Sequence, residues 1–340
     1  MNAILKNIGR AAATLLIAST SLFNNPVFAA EERVPENRVI YEVFVRNFSP
    51  EGNLKGVEAQ IPRLKELGVD VVWLMPIYKL GDVGKWGAYS SPYAIKDYTA
   101  IDPDNGTEQD LRDLVKTIHD NGMEIWFDWV GNHTAMDNKW VTTNPEFYTH
   151  KDGDFVHPFE GRSRMVYLSN HDVVQDQGGT EDILYHKYLR PLTVLQFTVY
   201  GMPLIYNGQE IQYKSGKPVS VAEKTPIDWS NPDTSMTDLI KKLTNLKHTS
   251  KALRTGKQAG SLTNLSTTAD DSVYAYMRSF DGENVVVALN FSDQEKTFNI
   301  PAGLPEGRYT DVMSGNTLEF SEKVNITVAP LDAAIFVAAE

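Results

Sequence analysis

The sequence predicts an α/β fold of parallel strand–helix units followed by a small antiparallel β domain. Three observations carry this. Short β-rich apolar runs alternate with amphipathic helical stretches from about residue 38 to residue 258. After that point the pattern changes to period two with turn signals between the runs. Several of the earlier apolar runs end in Asn, His and Asp, as expected where strands of a parallel sheet deliver side chains to a rim.

The N-terminus is set apart from this pattern. Lys6 and Arg10 precede the apolar stretch Ala11 to Phe23, and Pro26, Ala29 and Ala30 follow. That layout predicts a secretory signal peptide over residues 1–29, cleaved after Ala29 or Ala30. The apolar run is short for a bilayer span. Removing Lys6 and Arg10 with the leader leaves 30 basic against 44 acidic residues. An acidic chain without a basic tract argues against nucleic acid and anionic membranes as partners, and suits a neutral ligand. The absence of cysteine excludes disulfides, thiolate metal sites and a cysteine nucleophile. The expectation is an exported bacterial protein, periplasmic or released.

"RVIYEVFVR" (Arg38 to Arg46) reads as a strand buried on both faces. "GVEAQIPRLKELG" places Val57, Ile61, Leu64 and Leu67 on one helical face and stops at Gly68. "VDVVWLMP" is a second strand. In "GTEQDLRDLVKTIHDNG" Thr107 is the expected N-cap, acidic residues occupy the first turn and Gly122 ends the helix. "MEIWFDWV" is a third strand. A polar stretch from Trp140 to Arg162 interrupts the alternation. It resumes with the strand "RMVYLSNHD", the helix "EDILYHKYLRPLTVLQFTVYG", the strand "MPLIYNGQE" and the helix "SMTDLIKKLTNLKHTSKALRTG". The predicted domains are therefore 30–258, built of parallel units with right-handed crossovers, and 259–340, with Asp281-Gly282 as a hairpin turn.

Three strands end in polar clusters: Asp128 with Asn132 and His133, then Asn170-His171-Asp172, then Asn207 to Glu210. Any one of these alone reads best as a cap or a solvated loop. Three on one rim, with Trp86, Tyr89, Tyr93 and Trp129 between them, point instead to a neutral polyhydroxyl ligand. No phosphate-binding loop is present, and no organic cofactor is expected.

These segments resemble the α-amylase family of glycoside hydrolases. "YEVFVRNF" with "GNLKG" is similar to that family's first strand and following loop, and "SPYAIKDYTAIDPDNGT" to its Tyr-bearing segment. "FDWVGNH" and "YLSNHD" are similar to its first and last diagnostic motifs, and "GMPLIYNGQE" with "PIDWS" to the surroundings of its eighth strand. The resemblance implies a (β/α)8-type TIM barrel with a C-terminal antiparallel β-sandwich, acting on α-1,4-glucans by a retaining mechanism. It implies that Tyr93 stacks on the sugar at the cleavage point and that His133 and His171 bond its hydroxyls. Asp172 would stabilise the transition state, and Asp128 would support the site as a neighbouring carboxylate. Asn132 matches a ligand of the family's structural calcium.

The chain departs from the family in the middle. The nucleophile belongs to a Gly-Phe-Arg-x-Asp motif and the general acid is a Glu on the next strand; neither motif occurs here. Only 44 positions separate Asp128 from Asp172. At about 30 residues per unit, roughly 90 residues are missing, the equivalent of strands four to six. The usual partners of Asn132 at the calcium site lie in that stretch. Asp137, Asp154, Glu160 and Glu210 are the local carboxylates that could replace the lost ones. The expectation is an α-glucan hydrolase by descent with its cleavage chemistry impaired or lost. The alternatives are a non-catalytic starch or maltodextrin binder and a truncated relative without function. Five strands cannot close an eight-stranded barrel, so the third and seventh must pair or remain edges, and open edges invite self-association.

Overall fold

The computed structural model describes residues 37–85, 87–131, 133–144, 165–176, 185–214, 220–300, 303–321 and 324–339. The leader expected at 1–29, Trp86, Asn132, Asp154 and Glu160 lie outside the described residues.

Strand β1 (Ile40–Val43) is buried throughout, as its apolar run demands. It is shorter than the sequence suggests, because the chain turns after Val43 into a short helix, α1 (Val45–Phe48). Val57, Ile61, Leu64 and Leu67 are all buried against the core, but on two helices rather than one. These are α2 (Leu54–Glu58) and α3 (Ile61–Leu67). Pro62 sits in the first turn of α3, where its missing N–H costs nothing. Gly68 closes α3 in the left-handed conformation, φ 92°.

Strand β2 (Val71–Leu74) pairs in parallel with β1 and leads into an antiparallel hairpin, β3 (Tyr78–Leu80) with β4 (Ile95–Ile101). The sequence pattern did not separate this hairpin from loop. Helix α4 (Glu108–Asp120) starts as expected at Thr107, whose side chain and that of Asp110 form a reciprocal capping box. Strand β5 (Glu124–Phe127) pairs with β2, and a short helix, α5 (Trp140–Thr143), follows.

"RMVYLSNHD" differs most from expectation. Its strand, β6, is only Met165–Val166, and His171 opens a helix, α6 (His171–Asp176). The Asn170 side chain accepts from Val173 N–H at 2.9 Å, so the cap chemistry of Asn ends the strand early. Helix α7 (Leu189–Thr198), strand β7 (Met202–Tyr206) and helix α8 (Thr234–Thr249) complete this half.

The five parallel strands stand in the order β5-β2-β1-β7-β6. The third and seventh family strands, β5 and β6, are thus the two outer strands of an open sheet among the described residues. This is the arrangement of a barrel lacking its middle units. Strand β5 shows the consequence. Its apolar side chains, which the sequence assigns to a core, stand exposed: Trp126 at 37 % and Phe127 at 41 %.

The antiparallel half has a six-stranded sheet, in the order β13-β12-β15-β10-β9-β8, and a two-stranded one, β11-β14. Its strands are β8 (Ser261–Leu265), β9 (Val273–Phe280), β10 (Glu283–Asn290), β11 (Lys296–Asn299), β12 (Gly307–Asp311), β13 (Thr317–Phe320), β14 (Asn325–Val328) and β15 (Ala333–Ala338). Phe298 and Ile326 of the small sheet pack on Val286, Ala288 and Phe336 of the large one, giving two layers. Asp281 and Gly282 both have positive φ, 50° and 80°, the mirror-image turn that matches strand twist. One apolar core runs from Val39 and Phe197 to Tyr276, Val285 and Ile335, joining the parallel half to the antiparallel one.

Candidate active site

Glu42 is the buried centre of the site. It lies on β1, fully enclosed, within the run "YEVFV". A carboxylate in such a place must have a partner, because the interior offers it no water. The partner is His171 at the start of α6, whose Nδ1 is 2.5 Å from Glu42 Oε1. Parallel pairing of β1 with β7, and of β7 with β6, brings the two together at one end of the sheet.

His171 Nε2 faces the Tyr93 hydroxyl at 2.9 Å, and the same hydroxyl is 2.9 Å from Asp128 Oδ2. Asp128 directly follows β5, and its N–H continues the ladder to Leu74. Tyr93 packs against buried Phe44, Met75 and Val221. Its ring is stacked on His171 with centroids 5.3 Å apart. One face of Tyr93 is therefore taken, and a sugar could stack only on the other. Asp172 has its side chain 68 % exposed, with Oδ1 3.4 Å from His171 Nε2. It is a carboxylate available to a ligand.

The electrostatics follow from this packing. Burial raises the Glu42 carboxyl, opposed by its bond to His171 and reinforced by Asp128 and Asp172. Asp128 is raised chiefly by burial, against the pull of the Tyr93 hydrogen bond. Burial works to lower His171, but the hydrogen bond and charge of Glu42 outweigh it and the imidazole is raised. Tyr93 is raised by burial and then by the Asp128 charge, so it remains a phenol.

Of the residues singled out from the sequence, Tyr93, Asp128, His171 and Asp172 come together. His133 sits on the exposed segment after β5, where its carbonyl accepts from the Tyr98 hydroxyl at 3.1 Å. Tyr89 lies under the Arg46 guanidinium, 4.8 Å from its ring centroid. Trp129 is 69 % exposed beside Tyr98. The calcium expectation at Asn132 falls outside the described residues, and among the described residues no group of three or more His, Asp or Glu could hold a metal ion.

Two replacement carboxylates can be placed. Glu210 is fully buried and accepts from the Tyr41 hydroxyl (2.7 Å), Arg63 (2.6 Å) and Gly208 N–H (3.1 Å). It is a structural ion pair and not a proton donor facing a ligand. Asp137 pairs with Lys96 at 2.9 Å, whose hydrogen bond holds its carboxyl below the usual range. An acid that is ionised so readily is a poor donor at neutral pH.

Sequence reasoning missed Glu42. The signal was present: one acidic residue inside an otherwise apolar buried strand is costly unless it is used.

Residues 30–165 match the family model described as "Alpha amylase, catalytic domain", and residues 266–336 match "Alpha amylase, C-terminal all-beta domain". Together these stretches make up more than half of the chain. The chain belongs to the α-amylase family.

An α-glucosidase of Pediococcus pentosaceus is 34 % identical over 125 residues, covering 35 % of this chain and 21 % of that protein. The chain thus spans about a fifth of the length of the first curated relatives it matches. Alpha-amylase 2 of Dictyoglomus thermophilum aligns more fully, at 21 % identity over 441 positions, covering 85 % of this chain and 74 % of the relative. Since this chain has 340 residues, at least about 100 of those positions have no counterpart in it. The crystal structure of an α-amylase from Lactobacillus plantarum shares the fold with a TM-score of 0.74 at 21 % identity, covering 89 % of this chain and 99 % of that one. A maltogenic α-amylase from Thermotoga neapolitana superposes equally well, at 0.74 and 19 % identity, over 88 % and 98 %. In this α-amylase-family chain, Glu42, Tyr93, Asp128, His171 and Asp172 gather at one end of the parallel sheet.

Proposed function

We propose that this chain holds α-1,4-glucans in the retained half of an amylase cleft and that its cleavage chemistry is lost. The observation that carries this reading is the state of the carboxylates around Tyr93. Retaining hydrolysis needs two carboxyl groups about 5–5.5 Å apart, one a nucleophile and one a proton donor. Glu42 is enclosed and bound to His171, and Asp128 is bound to Tyr93. Asp172 has a largely exposed carboxylate, a group able to steady a sugar ring without acting as nucleophile or donor.

Ligand binding is supported by what remains: a half-buried Tyr93 at the rim, an exposed Asp172 carboxylate and the polarised faces of Tyr89 and Trp129. Structurally similar proteins include a Geobacillus thermoleovorans α-amylase complexed with acarbose and AmyP in complex with maltose. Calorimetric titration with maltoheptaose, beside a chromogenic maltooligosaccharide assay, tests the reading. Saturable binding without turnover supports it. Turnover abolished by Asp172→Asn would show an active hydrolase instead.

The open sheet supports the self-association expected from the sequence. Exposed Trp126 and Phe127 mark the β5 edge, and exposed Met165 and Tyr167 the β6 edge. All strands of the sheet are parallel, so the β6 edge of a second copy has the direction needed to continue the β5 edge.

A further inference from the structure

The contacts around Tyr93 impose a proton count. Four groups stand in series: Glu42, His171, Tyr93 and Asp128. Three contacts join them, Glu42 Oε1 to His171 Nδ1 at 2.5 Å, His171 Nε2 to the Tyr93 hydroxyl at 2.9 Å, and that hydroxyl to Asp128 Oδ2 at 2.9 Å. Each contact at such a distance needs one hydrogen between its heavy atoms. Two carboxylates, a neutral imidazole and a phenol supply two hydrogens, one on the ring and one on the hydroxyl. With two, a pair of acceptors would face each other at one of the three contacts.

We propose that Glu42, His171, Tyr93 and Asp128 form one titrating unit that stores a third proton, with Glu42 the positioning residue that holds it in place. A third proton on the imidazole, on Glu42 or on Asp128 would satisfy all three contacts, and the surroundings of His171 assign it to the imidazole. Imidazolium is the placement that Asp172 reinforces, since its carboxylate lies 3.4 Å from Nε2 and favours positive charge on the ring. The charged and titratable groups facing His171 are thus Glu42 from β1, Tyr93 from the segment before β4, Asp128 from beyond β5, and Asp172 from its own helix. Glu42 Oε2 is buried and has no hydrogen-bond partner among the described residues. A hydrogen on Oε2 would find no acceptor there, so Oε2 is not where the third proton sits. The raised carboxyls of Glu42 and Asp128 and the raised imidazole agree in direction with a retained proton.

The consequence deepens the glucan-binding reading and rests on it only for the ligand. With the third proton in place, the Tyr93 hydroxyl is tethered on both sides, to His171 and to Asp128. When the proton leaves at higher pH, one contact opens and Tyr93 loses a tether. The unit titrates as a whole and not as separate residues.

The test is an NMR titration of the full chain labelled with 15N-histidine, with His171 assigned through His171→Gln. In the wild type the His171 midpoint is expected above the ordinary value of about 6.5, with both ring nitrogens still carrying hydrogen at neutral pH. In Glu42→Gln the proton affinity is expected to fall at least tenfold. A wild-type midpoint at or below the ordinary value, or an unchanged midpoint in Glu42→Gln, overturns the proposal. If Glu42→Gln shows no cooperative melting, Tyr93→Phe removes the middle link. A lowered midpoint there supports the unit, and an unchanged one overturns it. Maltoheptaose calorimetry in two buffers of different ionisation enthalpy separates this from the binding reading. Failure of the sugar to bind the wild type overturns glucan binding alone, because the NMR readout uses no ligand.

Discussion

Glu42 and His171, 129 positions apart in the chain, meet at 2.5 Å and tie the central strand β1 to the first turn of α6. Both are almost wholly buried. This pair fixes the imidazole that Tyr93 stacks upon.

The pair makes stability depend on pH in a defined direction. Both folded values are raised, so the folded chain holds protons that the unfolded chain has released. The stabilisation is complete below the unfolded values, near 4.5 for Glu and 6.5 for His, and fades as pH rises through the folded ones. His171→Gln removes one partner of a buried pair, at an expected cost of about 3 kcal/mol under mildly acidic conditions. Melting temperatures of wild type and variant from pH 5 to 9 check this. The gap between them should narrow as pH rises, and a constant gap would count against the pair.

Lys247 works with the opposite sign. It lies in the last turn of α8 with its side chain buried, Nζ donates to the Leu253 carbonyl at 2.8 Å, and burial together with nearby Arg278 lowers it to about 7. The unfolded chain binds this proton up to 10.5, so the penalty is full below about 7 and is relieved as pH rises to 10.5. Lys247→Met should flatten the pH dependence of unfolding by about 1 kcal/mol per pH unit within that window. Denaturant unfolding at pH 7, 8 and 9 measures the slope. Equal slopes in wild type and variant would refute the assignment.

Arg63 and Glu210 form a second ion pair, in which Glu210 is fully buried and Arg63 half-buried, with Arg63 also lying 4.2 Å over the Trp229 ring. Arg63→Leu leaves Glu210 uncompensated and should cost about 3–5 kcal/mol in denaturant unfolding. A loss below about 1 kcal/mol would mean that Glu210 does not depend on that ion pair.

The exposed edge of β5 should make the chain associate with itself. Sedimentation velocity is expected to show species heavier than the monomer growing with concentration. Phe127→Lys, which places a charge on the edge, should return the chain to monomer. A wild type that stays monomeric throughout would remove this expectation.

Much of this architecture was legible in the sequence, for identifiable reasons. The Thr107–Asp110 cap and the Asp281-Gly282 turn are local chemistry, decided within four residues, and both form as read. Val57, Ile61, Leu64 and Leu67 show their common face even though the helix divides, because burial follows spacing more closely than helix boundaries do. The extent of "RMVYLSNHD" as a strand was misread, since the capping power of Asn170 competes with the apolar run before it. The exposure of Trp126 and Phe127 was not legible at all. What lies opposite a strand edge is a property of the assembled sheet and not of the strand. At the site, Tyr93, His171 and Asp172 were recognisable as rim residues. Glu42 was hidden because an apolar run draws attention to its apolar members.

The most direct test of the glucan-holding account is calorimetric titration of the wild type and Asp172→Asn with maltoheptaose, paired with a product assay of the same samples. The expected result is saturable binding to the wild type, binding weakened roughly tenfold in Asp172→Asn through loss of a charge-assisted hydrogen bond, and no shortened oligosaccharide in either sample. Release of maltooligosaccharide products by the wild type that stops in Asp172→Asn, or no binding by the wild type at all, would contradict it.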